Sequence, residues 1–116
     1  MTSKIIFSKI KHTVVKSASD ITKTERAEGK LQAGSVTSRL TPGLRIDVLV
    51  LKTLPALTTA NSFTVDEEDI RQGSRKCFSR LADVFVRKGR LPVHADFFKK
   101  IKDGDTIVVI LHEVGS

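Results

Sequence analysis

Apolar and β-branched residues crowd the opening "KIIFSKIKHTVVKSA", and this pattern predicts one strand, or a bent pair, ending near Ser17. The pattern then lapses. From Ser19 to Ser38 the chain is polar and holds Gly29 and Gly34, and "TKTERAEGKLQA" gives only a short helical hint. A flexible loop or mobile hairpin is expected over 19–38. "TPGLRIDVLVLKTLP" is clearer: Pro42-Gly43 makes a turn, and the run from Leu44 to Leu51 predicts a central strand that Pro55 ends.

Thr64 followed by Glu67 matches a capping box, and Asp66, Glu67, Glu68 and Asp69 lie where a helix dipole favours negative charge. A helix over about 65–88 is therefore predicted, closed by Arg87, Lys88 and Gly89. On it, Ile70, Cys77, Phe78, Leu81, Val84 and Phe85 would form one apolar stripe. Gly73 falls in its middle, where glycine costs about 1 kcal/mol relative to alanine, so the segment is one tolerant helix or two shorter ones. Beyond Leu91-Pro92, "HADFFKKIK" suggests one or two helical turns, "DGD" a turn, and "TIVVILHEV" a strongly apolar strand.

Strands on both sides of one helix, without regular βαβ alternation, predict a single α+β domain over 1–116. Its small antiparallel or mixed sheet would include Leu44–Leu51 and Thr106–Leu111, packed against the main helix. The phrase "IKDGDTIVVIL" suits a β-grasp-like or small-barrel-like architecture, but it is too short and common to name a family.

Composition adjusts this picture in three ways. With 40% apolar and 28% charged residues, the 116-residue chain can bury a modest core. Six Phe and no Trp or Tyr leave that core to Val, Ile and Leu, which suit strands. The net charge of +7 favours anionic partners. Between Arg71 and Lys102 ten basic residues face only Asp83 and Asp96, so this segment is the charge anomaly.

Catalytic chemistry finds little support. His12, His94 and His112 lack metal-ligand spacing, and His94 with Asp96 has no visible third ligand, so structural histidines are expected. Cys77 sits on the apolar stripe and reads as a small core residue. There is no P-loop, GxGxxG or GxSxG, and neither an enzyme nor a cofactor is expected. A single cysteine excludes an internal disulfide, and no run suits a signal peptide or a membrane span. A soluble, intracellular protein is expected, which includes a viral product made inside a host cell.

The leading expectation is sequence-tolerant binding of nucleic acid through phosphates, RNA slightly ahead of DNA. Arg71, Arg75, Lys76, Arg80, Arg87, Lys88 and Arg90 would carry it, with Lys99, Lys100 and Lys102 extending the field. Phe7, Phe63, Phe97 and Phe98 are the candidates for base stacking, but aromatics are few, and backbone contact with a duplex fits the composition better. The alternative is a non-enzymatic interaction or assembly subunit, in a viral setting for example, that self-associates through an edge strand to form a homo-oligomer.

Overall fold

In a computed structural model, which describes residues 3–32, 40–53, 61–80 and 89–113, strands dominate. In chain order the elements are β1 (Lys4–Phe7), β2 (Ile10–Ser17), α1 (Lys23–Glu28), β3 (Leu31–Gln32), β4 (Ile46–Leu51), β5 (Phe63–Asp66), β6 (Lys76–Phe78), β7 (Arg90–Leu91), α2 (Ala95–Lys99) and β8 (Thr106–His112). Four strands form an antiparallel sheet in the order β2-β8-β4-β6. Two ribbons, β1 with β5 and β3 with β7, are the other pairings among the described strands, and the radius of gyration, 13.4 Å, is that of a compact small domain.

The two most apolar runs in the sequence form the middle of the sheet. Ile46 pairs with Leu111 and Leu51 with Thr106, and every residue of β4 and β8 is buried. A strand with a neighbour on each edge and packing on each face needs apolar side chains at successive positions, and "IDVLVL" and "TIVVILH" supply them with few exceptions. On one face Ile46, Val48, Val50, Ile107, Val109 and Leu111 join Leu31, Leu91, Phe97 and Phe98 in the larger core. On the other, Leu49, Leu51, Val108 and Ile110 pack against Phe7 and Val65 of the β1–β5 ribbon.

Over 65–80 the chain does not form the predicted helix of 65–88. Phe63–Asp66 is strand β5, Glu67–Asp69 is a single tight 3₁₀ turn, Ile70 bridges to Leu51, and Lys76–Phe78 is strand β6. Positions 81–88 lie outside the described residues. Among the described residues no long helix lies across the sheet, so the α+β reading holds only with short helices. The apparent stripe dissolves accordingly: Phe78 packs with the larger core, whereas Cys77, its neighbour on a strand, is exposed rather than a core residue.

Two Thr-x-x-Glu phrases explain the error. At Thr64 the expected box does not form, and the Glu67 N–H donates instead to the Ser3 carbonyl at 2.8 Å. At Thr22, inside the segment read as a loop, the box is complete. The Glu25 N–H donates to Thr22 Oγ1 at 3.1 Å and the Thr22 N–H donates to Glu25 Oε1 at 3.0 Å. "KTERAE" favours a helix after Thr22, whereas β-branched Val65 after Thr64 favours pairing with β1. The loop reading of 19–38 therefore fails at α1 and β3, and its residues 33–39 lie outside the described ones.

Candidate anion-binding surface and its buried carboxylates

The segment 71–75 makes the corner between Ile70 and β6. The Ser74 N–H donates to the Arg71 carbonyl at 3.0 Å, and Gly73 takes the left-handed conformation (φ +76°) that this turn requires and that glycine adopts without strain. Ser74 is buried, and its hydroxyl donates back to the Arg71 carbonyl. The Arg71 N–H donates to the Val50 carbonyl at 2.9 Å, so the corner is tied to the sheet.

Two arginines leave this corner, and each meets a buried carboxylate. Arg71 forks onto Asp105, with Nε donating to Oδ2 at 2.9 Å and Nη2 to Oδ1 at 3.0 Å. Asp105 also accepts the Lys102 N–H at 2.9 Å. Burial pushes the Asp105 carboxyl up, but the Arg71 fork and the Lys102 hydrogen bond together outweigh it and hold the group below its ordinary value. The same fork raises Arg71 above its own.

Arg75 reaches the second carboxylate. Its Nη2 lies 3.7 Å from Asp47 Oδ1, and its guanidinium sits 5.2 Å from the centre of the Phe7 ring, a cation–π distance. Arg45 Nε lies 3.6 Å from the other oxygen, Oδ2. Asp47 is fully buried, with Oδ2 2.7 Å from His112 Nε2, while Oδ1 has no hydrogen-bond partner. His112 Nδ1 faces the Ser8 carbonyl at 3.0 Å, and because a carbonyl only accepts, Nδ1 must carry the hydrogen. His112 is thus a structural tie between β8, β4 and the β1–β2 junction.

Between Arg71 and Arg75 lies an open depression of about 320 Å³, lined also by Ile5, Ile70, Glu67, Gln72 and Gly73. The side chain of Lys100 runs past the same turn. A methyl group on Gly73 would stand 3.4 Å from Lys100 Cε and 3.9 Å from Nζ.

Of the cations expected to bind phosphate, the fold gathers Arg71, Arg75 and Lys100 around Gly73, with exposed Lys102 joined through Asp105. Lys76, Arg80, Arg90 and Lys99 do not join them in the same way. Lys76 opens β6 directly after Arg75 and is half-buried, Arg90 pairs with Glu28, Lys99 pairs with Asp96 at 3.5 Å, and Arg80 is exposed after β6. Arg87 and Lys88 lie outside the described residues. Phe97 and Phe98 are not stacking platforms, because both are buried, edge to face, with ring centres 5.7 Å apart. Phe7 is buried beneath Arg75, and the Phe63 side chain lies outside the described part of the structure.

The sequence reading missed Asp47, Asp105 and Arg45. One signal for Asp47 was available: an isolated acid within "RIDVLVL" must either be exposed or find donors. Partial burial, and then the nearby Asp47 carboxylate, push the Cys77 thiol above its ordinary value, the opposite of what an activated nucleophile needs. Among the described residues no three His, Cys, Asp or Glu side chains gather to hold a metal, and no helix is long and apolar enough to cross a membrane. Comparison with family models, curated proteins and solved structures finds no match to this chain.

Proposed function

We propose that this chain binds nucleic acid through its phosphates with little sequence selection, RNA ahead of DNA, at the surface around Gly73. The observation that carries the reading is the convergence of Arg71, Arg75 and Lys100 on one turn, with Arg71 forked onto buried Asp105 and Arg75 within ion-pair distance of buried Asp47. A guanidinium held by a carboxylate on one side keeps donors for an anion on another, and its side-chain entropy is already partly spent. Lys102 and Arg80 add charge that needs no fixed geometry.

The test is a salt titration. Binding to unrelated RNA and DNA probes weakens steeply between about 50 and 200 mM salt if phosphates dominate, because each neutralised phosphate releases condensed counterions. Charge reversal at Arg75 and Lys100 lowers affinity for every probe by similar factors and flattens the salt slope. A parent protein that binds no probe at low salt refutes the reading.

A second reading has its own observation. Among the described residues β2 is an eight-residue strand at the edge of the sheet, with Val15 exposed, and a strand edge of that length can pair with another copy. Sedimentation showing a stable homo-oligomer that dissociates when Val15 is replaced by lysine would favour assembly, in a viral or other setting.

A further inference from the structure

We infer that the depression between Arg71 and Arg75 takes one unpaired nucleotide, so that the preferred partner is single-stranded rather than duplex; the inference rests on the nucleic-acid reading above. A rail for duplex phosphates needs only projecting cations. This surface has more than that: a recess of about 320 Å³ whose lining residues include Ile5 and Ile70. That volume falls within the range of about 300–1,000 Å³ typical of small-ligand sites.

The walls are fixed. Ile5 and Ile70 are half-buried and pack against the cluster of Phe7, Leu49, Leu51, Val65, Val108 and Ile110. The Lys52 N–H donates to the Asp69 carbonyl at 2.8 Å, and the Ile70 N–H donates to the Glu67 carbonyl at 3.1 Å. Arg71, forked onto Asp105, and Arg75, 3.7 Å from Asp47 and over the Phe7 ring, are both among the lining residues. Exposed Gln72 and Glu67 supply an amide and a carboxylate at the rim.

These groups match the parts of a nucleotide in kind. Its phosphate needs guanidinium forks. The flat faces of its base need an apolar surface or a guanidinium plane, and Ile5, Ile70 and Arg75 provide both without an exposed aromatic ring. Its base edge and ribose hydroxyls need mixed donors and acceptors, which Gln72 and Glu67 carry. In a duplex those faces and edges are already occupied by stacking and pairing, and the apolar walls would go unused.

The experiment measures affinity of the full chain for a labelled RNA 12-mer, for the same sequence as a duplex, and for that single strand in competition with adenosine monophosphate. The single strand is expected to bind about fivefold tighter than the duplex, the low end of the roughly 1–3 kcal/mol that a base gains on an aromatic side chain, because the walls here are aliphatic and guanidinium. Adenosine monophosphate should displace the strand at millimolar concentration, whereas inorganic phosphate at the same ionic strength should not.

Gln72→Glu puts a second carboxylate in the lining beside Glu67 and leaves every cation in place; it should cut single-strand affinity about fivefold, the equivalent of about 1 kcal/mol, and change duplex affinity by less than about twofold. Gln72→Ala, which removes the amide, should act in the same direction should the Glu variant not fold. Equal affinity for strand and duplex, or a folded Gln72 variant that binds the single strand like the parent, overturns the inference and leaves the phosphate reading standing. Absence of binding to any nucleic acid overturns both.

Discussion

The two faces of the central sheet are built from the same two strands and do different work. On one face β4 and β8 present Ile46, Val48, Val50, Ile107, Val109 and Leu111, all apolar, to a core closed by Phe97 and Phe98. On the other, the apolar patch ends at Asp47 and His112, a buried ionisable pair 2.7 Å apart with Arg45 and Arg75 reaching in from half-exposed positions. The first face is stabilised by area removed from water, about 25 cal/mol per Å². The second fixes which side chains face which way. A one-residue slip of β4 would carry Asp47 into the apolar core and bring Val48 under the arginines, so the pair penalises every wrong register.

That contrast can be broken most severely at Asp47. Asp47→Ala leaves buried His112 Nε2 without its partner and removes the carboxylate that faces Arg45 and Arg75, and the expected loss is about 3–5 kcal/mol by urea unfolding. Leu111→Ala probes the apolar face, where a cavity among well-packed neighbours should cost about 3 kcal/mol by the same measurement.

Asp105→Asn comes next, weakening the Arg71 fork at an expected cost of about 1–3 kcal/mol at neutral pH. Its sign with pH follows from the lowered value of the Asp105 carboxyl in the fold. The contribution is complete above the unfolded value of about 4 and fades as pH falls through the lower folded value. Parent and variant should therefore converge in strong acid, and a gap that widens there would contradict the assignment. Glu25 adds to the same acid limb. Burial raises it, but hydrogen bonds from the Thr22 and Gln32 backbone and the charge of Lys16 hold it below its ordinary value.

The smallest expected change sharpens the comparison most. Replacing both members of the pair, Asp47→Leu with His112→Leu, should leave stability within about 1 kcal/mol of the parent or raise it, because no charge is then left buried without a partner. If the pair specifies register, the double variant keeps its stability but shows broadened or doubled amide signals from β4 and β8. A single sharp set of signals would mean that the apolar pattern alone fixes the register.

Legibility in the sequence followed the burial of each element. The runs at Leu44–Leu51 and Thr106–Leu111 announced two neighbouring strands of one sheet, because a strand packed on both faces leaves a continuous apolar signature. The corner at 67–75 was not legible. Its residues satisfy helical spacing by coincidence, and what decides their conformation is the pairing of Val65 with Ile5 and of Asp47 with Cys77, contacts between residues distant in the chain. The candidate surface was half legible. Arg71, Arg75 and Lys100 stood out as cations, but their meeting at Gly73 and the carboxylates that two of them meet depend on that same long-range pairing.

Strand order has a consequence for the nascent chain. β8 lies between β2 and β4 in the sheet yet is translated after both. At ribosomal rates of about 5–20 residues per second, the run Ile46–Leu51 waits on the order of seconds without the neighbour that buries it. During that interval it is an apolar β-segment of the kind holdase chaperones and other unfinished chains both recognise. Yield of folded protein should therefore respond to translation speed and chaperone supply.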